Sequence, residues 1–523
     1  MRSLSPEQQY AFNLYTKGEN LFITGPGGTG KTELIKHLVN YAIATNKSFQ
    51  VCALTGCASL LLNCNARTLH SWSGIKLAKG LKNTIIHNVL KNKMVVNSWK
   101  KIKILIVDEV SMLSLKIFEI IEEIACNIRR STKPFGGIQV IFTGDFFQLP
   151  PVGNNEDPDT EKFCFQSSKW FYTFPIQNHI QLTTMFRQKD PLYASILLEI
   201  RTGSISEENI QILQKYVKRD LPEEYTPTKL FAIRSKTDFV NNEMFSKLKE
   251  DLYEFHSDIK TNCKMYLDNT AKPFTMEVLN KCQKLSAKDV EREVEFLNNN
   301  IPCSKIVSLK KGAIVMCLIN YDIDKGICNG SQGIIVDFIE NEDNTIPIVK
   351  FTNGVTIPVD YHYWQSEEFP TIAVGQIPLC LAWAITIHKI QGSTMAMAEI
   401  DIGYSVFEYG QVYVALSRIQ SLDGLYLISF QPHKIKANPI VNEFYNSIPS
   451  NIPLEIINQE NEISKIPPFS TNTTTKSISV NFEQFNYPIT NSITNSIPNC
   501  NNNTNSIINK LNDVSTTRVI SFP

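Results

Sequence analysis

The sequence has no long apolar run, no clustered cysteines and no net charge. No stretch of about 18 or more apolar residues occurs in the 523-residue chain, which excludes an ordinary transmembrane helix. The twelve cysteines are scattered, without a C-x-x-C pair or a cysteine–histidine cluster at zinc spacing. This pattern favours reduced thiols over disulfides or a zinc site. A formal net charge of zero means that bulk charge does not predict a polyanionic partner.

The start of the chain, MRSLSPEQQ, has no apolar segment of the kind that targeting signals carry. The sequence therefore favours an intracellular protein without a targeting signal, in the cytoplasm or nucleus of its host. At this length, two to four domains are expected.

A strand, a glycine-rich loop and a helix are predicted near the start. Leu21 to Thr24 are apolar or β-branched, and the next eight residues read G-P-G-G-T-G-K-T. Apolar residues then recur at helical spacing. This is a phosphate-binding loop in the context that its mechanism requires, whereas a chance glycine-rich turn would need no such flanks. The residues expected to bind ATP are Gly25, Gly27, Gly28, Thr29, Gly30, Lys31 and Thr32.

The chemistry of the last two of these residues is specific. Lys31 is expected to reach the β and γ phosphates of ATP, and the Thr32 hydroxyl to hold Mg²⁺. Upstream, Ser5 is typical of a helix N-cap with Pro6 at the first helical position. The Gln8 amide that follows can donate and accept at once, as reading an adenine edge requires, although a surface glutamine is the plainer interpretation.

Two carboxylates follow the apolar run Ile104 to Val107, which is typical of a strand buried on both faces. Ligands of parallel sheets bind at the carboxyl ends of the strands. Asp108 is therefore a candidate Mg²⁺ ligand, and Glu109 a candidate base for the water that attacks the γ-phosphate. The alternative is a pair of solvated acids.

Another buried strand is predicted at Gln139 to Thr143, and the Gln148 amide beyond it is placed to sense a γ-phosphate. The segment TLHSWSGI, which begins at Thr68, combines hydroxyls, an imidazole and Trp72. Such groups suit contacts with a single nucleic-acid strand, but a buried tryptophan and a capping serine give the same pattern. The basic runs at 91–103 and 129–133 are interpreted as solvated surface.

The second half contains a small β-module and an unusual end. Short strands joined by glycine turns are predicted between Gly312 and Val359. Beyond about Pro432, asparagine, serine, threonine and isoleucine dominate, so we expect a disordered tail without fixed structure from about Asn438. The segment Val480 to Ile489 groups three aromatics that could anchor a partner, but incidental aromatics in a disordered tract are the plainer interpretation.

With these blocks in place, the chain resembles the PIF helicase family, in the RecD-like branch of helicase superfamily one. The resemblance covers roughly residues 3 to 432. The matching patterns, in order, are LSPEQ, GPGGTGKT, ALTGCAS, TLHSWSGI, VDEVSML, PFGGIQVIFTGDFFQLPPV, FRQ, IPLCLAWAITIHKIQGST and YVALSR.

The resemblance implies an α/β fold with two RecA-like domains and ATP in the cleft between them. The expected division is residues 1–175, residues 176–432 with a β-barrel-like insertion near 251–370, and a tail at 433–523. It implies that Arg187 and Arg418 act as arginine fingers. It also implies that the single-strand channel is lined by Thr55, His70, Trp72, His388 and Thr394.

The expected function is ATP-dependent unwinding of DNA, 5′ to 3′, in replication, repair or recombination. The expected partners are single-stranded and forked DNA, with replication or repair proteins as possible partners of the tail, and the protein is expected to be monomeric. A nucleotide-dependent binding switch and an RNA helicase remain open alternatives, as does a viral or mobile-element origin.

Overall fold

The computed structural model describes residues 3–449, apart from 56–57, 60–61, 63, 65, 77, 155, 222–226, 262–281, 283–284, 323, 328, 341–344 and 367–368. The predicted partner-binding segment at 480–489 and the tail beyond residue 449 lie outside the described residues.

The first half of the chain forms a parallel six-stranded sheet. In spatial order its strands are Arg67–Thr68, Phe49–Ala53, Ile104–Asp108, Gln139–Gly144, Leu21–Thr24 and His179–Gln181. Successive side chains of each strand point to opposite faces of the sheet, as the two-residue period of a strand requires. Leu21 and Ile23 pack into one apolar cluster, whereas Phe22 packs into another with Phe142. A sheet covered on both faces explains why its four inner strands are mostly apolar.

Helices cover this sheet and build a small subdomain beside it. The helices are Pro6–Thr16, Lys31–Ala44, Leu69–Ser73, Lys82–Lys91, Lys93–Lys101, Leu115–Arg129 and Trp170–Thr173. The basic run at 91–103 is therefore largely helical, and Trp99 within it is fully buried. Arg129 is also structural, because its guanidinium donates to the carbonyl oxygens of Gly136 and Ile102 at 2.8 and 3.2 Å.

A second parallel sheet lies in the second half. Its strands, in spatial order, are Ala384–Thr386, Thr228–Phe231, Ala398–Ile402 and Leu425–Phe430. The helices of this half are Pro191–Arg201, Glu207–Gln214, Arg234–Lys247, Ala287–Asn300, Gln411–Leu416 and Pro439–Ser447. The two parallel sheets confirm the predicted α/β fold class.

Antiparallel strands interrupt the second half. A five-stranded sheet has the order Thr356–Pro358, Thr345–Phe351, Gln332–Glu340, Ile314–Cys317 and Leu379–Leu381. A three-stranded sheet joins His362–Gln365, Ala373–Gln376 and Asp258–Lys260, and a two-stranded sheet joins Ile306–Leu309 and Tyr253–His256. The predicted β-module thus has its own core, which includes Val315, Val349 and Leu379.

Short 3-10 turns link these elements. They span Val110–Met112, Pro134–Gly137, Pro158–Thr160, Cys164–Gln166, Ile176–Asn178, Leu422–Gly424 and Pro432–Lys434. Among the described residues, no helix has the length and apolar character needed to cross a membrane.

The helix Pro439–Ser447 corrects the expectation that fixed structure ends near Asn438. Asn438 caps it by accepting a hydrogen bond from the backbone N–H of Ile440, and Pro439 takes the first helical position. Val441, Phe444 and Tyr445 are buried in the aromatic core of the first domain. The composition that suggested disorder therefore does not extend to this segment.

Candidate functional site: the phosphate loop and the groups around it

The glycine-rich loop joins a buried strand to a helix, as the sequence predicts. Leu21–Thr24 is wholly buried, and the helix Lys31–Ala44 starts after Gly30 without a side-chain cap. Its first backbone N–H groups therefore face the loop, where an anion can accept them. A Cβ at Gly25, where φ is 146°, would lie 2.4 Å from the Leu182 carbonyl oxygen. A Cβ at Gly28, where φ is 97°, would lie 2.6 Å from the Arg187 Cβ. These positions admit only glycine.

Lys31 directs its ammonium group into the loop. Its Nζ donates to the carbonyl oxygens of Gly25 and Pro26 at 2.7 and 3.0 Å. Burial lowers the pKa of Lys31, while Asp145 and the nearby carboxylates oppose that shift. Beside it, the Thr29 hydroxyl is buried and donates to the Pro26 carbonyl oxygen at 2.9 Å. Thr32 is exposed at the start of the helix, so its hydroxyl is accessible to a ligand.

Asp108 and Glu109 stand at the carboxyl end of the buried strand Ile104–Asp108. Asp108 accepts hydrogen bonds from the Thr143 hydroxyl and from the Glu109 backbone N–H. Burial, and then the charge of Glu109, raise the pKa of Asp108 to about 6. Glu109 has a left-handed backbone (φ 56°, ψ 42°), which is uncommon outside glycine. A divalent cation would favour the ionised form of Asp108, so this carboxylate pair fits Mg²⁺ in its chemistry.

Two arginines that follow the phosphate loop at a distance in the sequence, Arg187 and Arg418, reach it in space. The position of a Cβ at Gly27 lies 3.5 Å from the Arg418 Nη2 and 3.6 Å from the Arg187 Nη1. Burial, followed by the neighbouring Arg187, lowers the pKa of Arg418 to about 9. Burial likewise lowers the pKa of Arg187. Two desolvated cations at one glycine form a site for a polyanion such as a triphosphate.

Backbone carbonyls hold these arginines in place. Arg187 donates to the Ser417 carbonyl oxygen at 3.1 Å, and Arg418 donates to the Val414 carbonyl oxygen at 2.9 Å. Tyr413, on the helix Gln411–Leu416, accepts a hydrogen bond from the Gly27 N–H at 2.8 Å. Tyr413 was not predicted as a site residue, although it belongs to the same YVALSR pattern as Arg418.

Three buried glutamine side chains carry an amide oxygen without a hydrogen-bond partner among the described residues. They are Gln148, Gln188 and Gln391. Gln391 donates to Glu109 at 3.3 Å, and the Gln188 oxygen lies 2.8 Å from a Cβ position at Gly28. Unpaired buried amides are costly in a folded protein, so the Gln188 oxygen beside Gly28 and the Gln391 amide beside Glu109 indicate a polar ligand or ordered water. Of the three, only Gln148 was predicted.

Gln8 braces the phosphate loop. Its Nε2 donates to the carbonyl oxygens of Thr29 and Gly30, each at 3.2 Å, and its Oε1 accepts from the Ser5 N–H at 2.9 Å. To read an adenine edge it would have to exchange some of these bonds. The adenine contact stays a prediction.

The residues predicted to line a nucleic-acid channel differ in accessibility. Thr394 is exposed, while Thr55, His70 and His388 are partly exposed. The His388 ring lies nearly parallel to that of Phe407, with a centroid separation of 6.4 Å and an angle of 21°. Burial lowers the pKa of His70 and of His388, so both rings are neutral at physiological pH.

Trp72 corrects a prediction. It is only 4% exposed, and its ring centroid lies 4.4 Å from that of the fully buried Trp99. The Trp99 indole N–H donates to the Ser73 carbonyl oxygen at 3.3 Å. Trp72 is therefore a core side chain and is not available to stack on a base.

A cleft of about 890 Å³ opens beside His70, away from the phosphate loop. Two of its three lysines are paired, Lys116 with Asp157 at 2.7 Å and Lys82 with Glu119 at 3.2 Å. Its acidic side chains outnumber the lysines, since Glu119, Glu156, Asp157 and Asp159 line it with Lys79, Lys82 and Lys116. The cleft is therefore not a positively charged groove.

A loop that takes phosphate, a carboxylate pair at a strand end and two converging arginines define a P-loop protein with two parallel-sheet domains. A family model described as PIF1-like helicase matches residues 3–211, and a model of the DNA helicase Pif1 2B domain matches residues 294–338. This chain belongs to the PIF1-like helicase family.

Several relatives resemble the chain along most of its length. The ATP-dependent DNA helicase PIF1 of Xenopus laevis is 33% identical over 85% of this chain. The chain spans 64% of that relative's length. The ATP-dependent DNA helicase RRM3 of Saccharomyces cerevisiae is 30% identical over 85% of this chain and 68% of its own length.

Solved structures are similar as well. The crystal structure of Pif1 helicase from Candida albicans has a TM-score of 0.68 and 32% identity, covering 85% of this chain and 99% of the solved chain. The Pif1 helicase from Bacteroides in complex with ADP-AlF3 and ssDNA has a TM-score of 0.59 and 27% identity, covering 86% and 97%.

Proposed function

We propose that this protein is an ATP-driven DNA helicase that translocates 5′ to 3′ on single-stranded DNA and unwinds duplexes. The observation that carries the proposal is the convergence of Arg187 and Arg418 on Gly27 of the phosphate loop. A nucleotide bound there would be held by residues from two domains, so hydrolysis would change how the domains contact each other. The printed names of the relatives, which are DNA helicases, support the same activity.

The roles of the residues follow from their positions. Lys31 and the loop N–H groups bind the phosphates, and Arg187 and Arg418 stabilise the charge that develops on the transferred group. Glu109 orients and deprotonates the attacking water, and Gln148 senses the γ-phosphate. A Mg²⁺ ion held by Thr32 and Asp108 would supply further neutralisation of phosphate charge. Gln8 is proposed to contact adenine by exchanging one of its contacts with the loop.

The proposed DNA channel includes Thr55, His70, His388 and Thr394, whose side chains are exposed or partly exposed. The expected division is residues 1–175 and 176–432, with an insertion near 251–370. We propose a first boundary after the strand His179–Gln181, which pairs in the first sheet, and an insertion that extends to the strand Leu379–Leu381, which pairs with Ile314–Cys317. We further propose an intracellular protein that acts as a monomer on single-stranded and forked DNA.

Strand displacement tests the proposal. A duplex with a 5′ DNA tail should be unwound in the presence of ATP and Mg²⁺, and a duplex with a 3′ tail should not. Lys31→Ala should abolish both hydrolysis and unwinding. ATP hydrolysis without displacement would instead indicate a nucleotide-dependent binding switch, and a preference for 5′ RNA tails would indicate an RNA helicase.

A further inference from the structure

The described end of the chain returns to the first domain. The helix Pro439–Ser447 follows the last strand of the second sheet, yet its buried side chains belong to the aromatic core of the first. The Phe444 ring stacks on Phe165 with a centroid separation of 4.2 Å and an angle of 20°. The backbone continues this contact, since the Pro449 carbonyl oxygen accepts from the Gln181 amide at 2.9 Å. A segment outside the family motifs is therefore built into the ATPase domain.

The Tyr445 hydroxyl on this helix contacts two segments of the candidate ATP site. It lies 2.5 Å from the Thr24 Oγ1, and Thr24 is the last residue before the phosphate loop. It also accepts from the Phe146 N–H at 3.2 Å and lies 3.4 Å from the Asp145 carboxylate. One assignment satisfies all three contacts: Tyr445 donates to Asp145 and accepts from Thr24 and from Phe146.

The Asp145 carboxylate is in turn bound by the second domain. Arg201 donates to it through two nitrogens, at 2.9 and 3.0 Å. The Arg201 guanidinium lies 4.5 Å from the centroid of the Phe147 ring and 5.1 Å from that of Tyr445. The Phe147 and Tyr445 rings stack at 4.7 Å and 16°. The segment 145–147 is thus held between the two domains.

This junction adjoins the helix that precedes Arg418, the proposed arginine finger. A Cβ at Gly410 would lie 2.5 Å from the Phe147 carbonyl oxygen and 2.7 Å from that of Gln148. Gly410 is the N-cap of the helix Gln411–Leu416, which presents Tyr413 to the phosphate loop and is followed by Arg418. A shift of segment 145–147 would therefore move the neighbouring Gln148 and also this helix.

We infer that Tyr445 is a positioning residue for ATP hydrolysis, which fixes segment 145–148 relative to Thr24 through its hydroxyl. The inference rests on the proposed function, because it names a residue that supports the same site. Burial and the charge of Asp145 raise the pKa of Tyr445, so the hydroxyl remains protonated and can donate at physiological pH.

The variant Tyr445→Phe tests this role, because it keeps the stacked ring and removes only the hydroxyl. The kcat of DNA-stimulated ATP hydrolysis should fall about tenfold, the effect of one buried hydrogen bond on a rate. The KM for ATP should change by less than about twofold, since the phosphate contacts remain. Thr24→Val should lower kcat as well, and the double variant should lose less than the product of the two effects.

Two controls separate positioning from stability. Phe444→Leu replaces a buried ring of the same helix by a smaller side chain and leaves the Tyr445 hydroxyl in place. It should therefore lower the Tm while leaving kcat near the wild-type value. Tyr172→Phe, at a tyrosine that is 65% exposed, should change neither. Wild-type kcat in Tyr445→Phe, or a loss that follows the Tm equally in Tyr445→Phe and Phe444→Leu, would overturn the inference. If the wild-type protein does not hydrolyse ATP more than Lys31→Ala does, the proposed function itself fails.

Discussion

At the scale of single residues, Glu109 is the clearest candidate for a side chain that is needed for ATP turnover but not for ATP binding. Its left-handed backbone and its hydrogen bond from Gln391 fix its carboxylate beside Asp108. Glu109→Gln preserves size and the ability to accept that bond but removes the base. ATP affinity should be retained, and kcat should fall by about 10² to 10⁴, the usual contribution of general base catalysis. Nucleotide titration and single-turnover hydrolysis measure the two effects, and near-normal turnover would exclude Glu109 as the base.

The two arginines give a second prediction at this scale. Arg187→Ala and Arg418→Ala should each reduce kcat by about 10³ or more, as loss of an arginine finger does, while much of the ATP affinity remains. Arg234→Ala is a matched control, because its side chain is 87% exposed on a helix surface. An arginine variant with normal turnover would not be a finger.

Three of the predicted site residues share one property. Lys31, Asp108 and Gln148 each lie just beyond a strong apolar strand, so their position depends on local pattern. The sequence pattern could not decide whether Trp72 is buried, because its burial depends on contact with Trp99, which belongs to a different helix. Gln188 and Gln391 were missed as site residues for the same reason, since only the folded chain brings their amides beside the loop.

At the scale of elements, the sheets were predictable, and the terminal helix was missed. The apolar strands carry a strong signal of their own. The helix Pro439–Ser447 has only nine residues, so its stability comes from tertiary packing. A signal was nevertheless present. Asn438 and Pro439 mark a helix start, and Val441, Phe444, Tyr445 and Ile448 follow at helical spacing.

Truncation tests the importance of this helix. A chain that ends at Asn438 removes four buried side chains, Val441, Phe444, Tyr445 and Ile448. Each is worth about 1.5–3 kcal/mol of burial as an upper estimate, so the Tm should fall by roughly 10 °C or more. Hydrolysis should fall too, because the Tyr445 hydroxyl is lost. A chain that ends at Pro449 keeps the helix and is the control. Equal Tm values for the two truncated chains would contradict the packing described here.

At the scale of the whole molecule, the two domains are joined by a buried ion pair near the proposed ATP site. Asp145 comes from the first domain and is fully buried, and Arg201, from the second, is 10% exposed at its side chain. Burial lowers the pKa of Arg201, but the charge of Asp145 and its hydrogen bonds raise it by more, so the arginine stays charged. The pair therefore links the segment that carries Gln148 to the helix Pro191–Arg201, which packs against the second sheet. The domain movement proposed for turnover would have to accommodate it.

Removing one partner of this buried pair should lower the free energy of unfolding far more than removing one partner of an exposed pair. Arg201→Ala leaves the Asp145 carboxylate buried and short of its partner, so the free energy of unfolding should fall by about 3–5 kcal/mol. Lys247→Ala is the control, because Lys247 and Glu243 form an exposed pair whose loss should cost at most about 0.5 kcal/mol. The double variant Asp145→Asn/Arg201→Met removes both charges and should recover part of the loss, since no unpaired charge then remains buried. Urea unfolding of the wild-type protein and the three variants measures these free energies. If Arg201→Ala lowers the free energy of unfolding no more than Lys247→Ala does, the pair does not stabilise the contact between the domains.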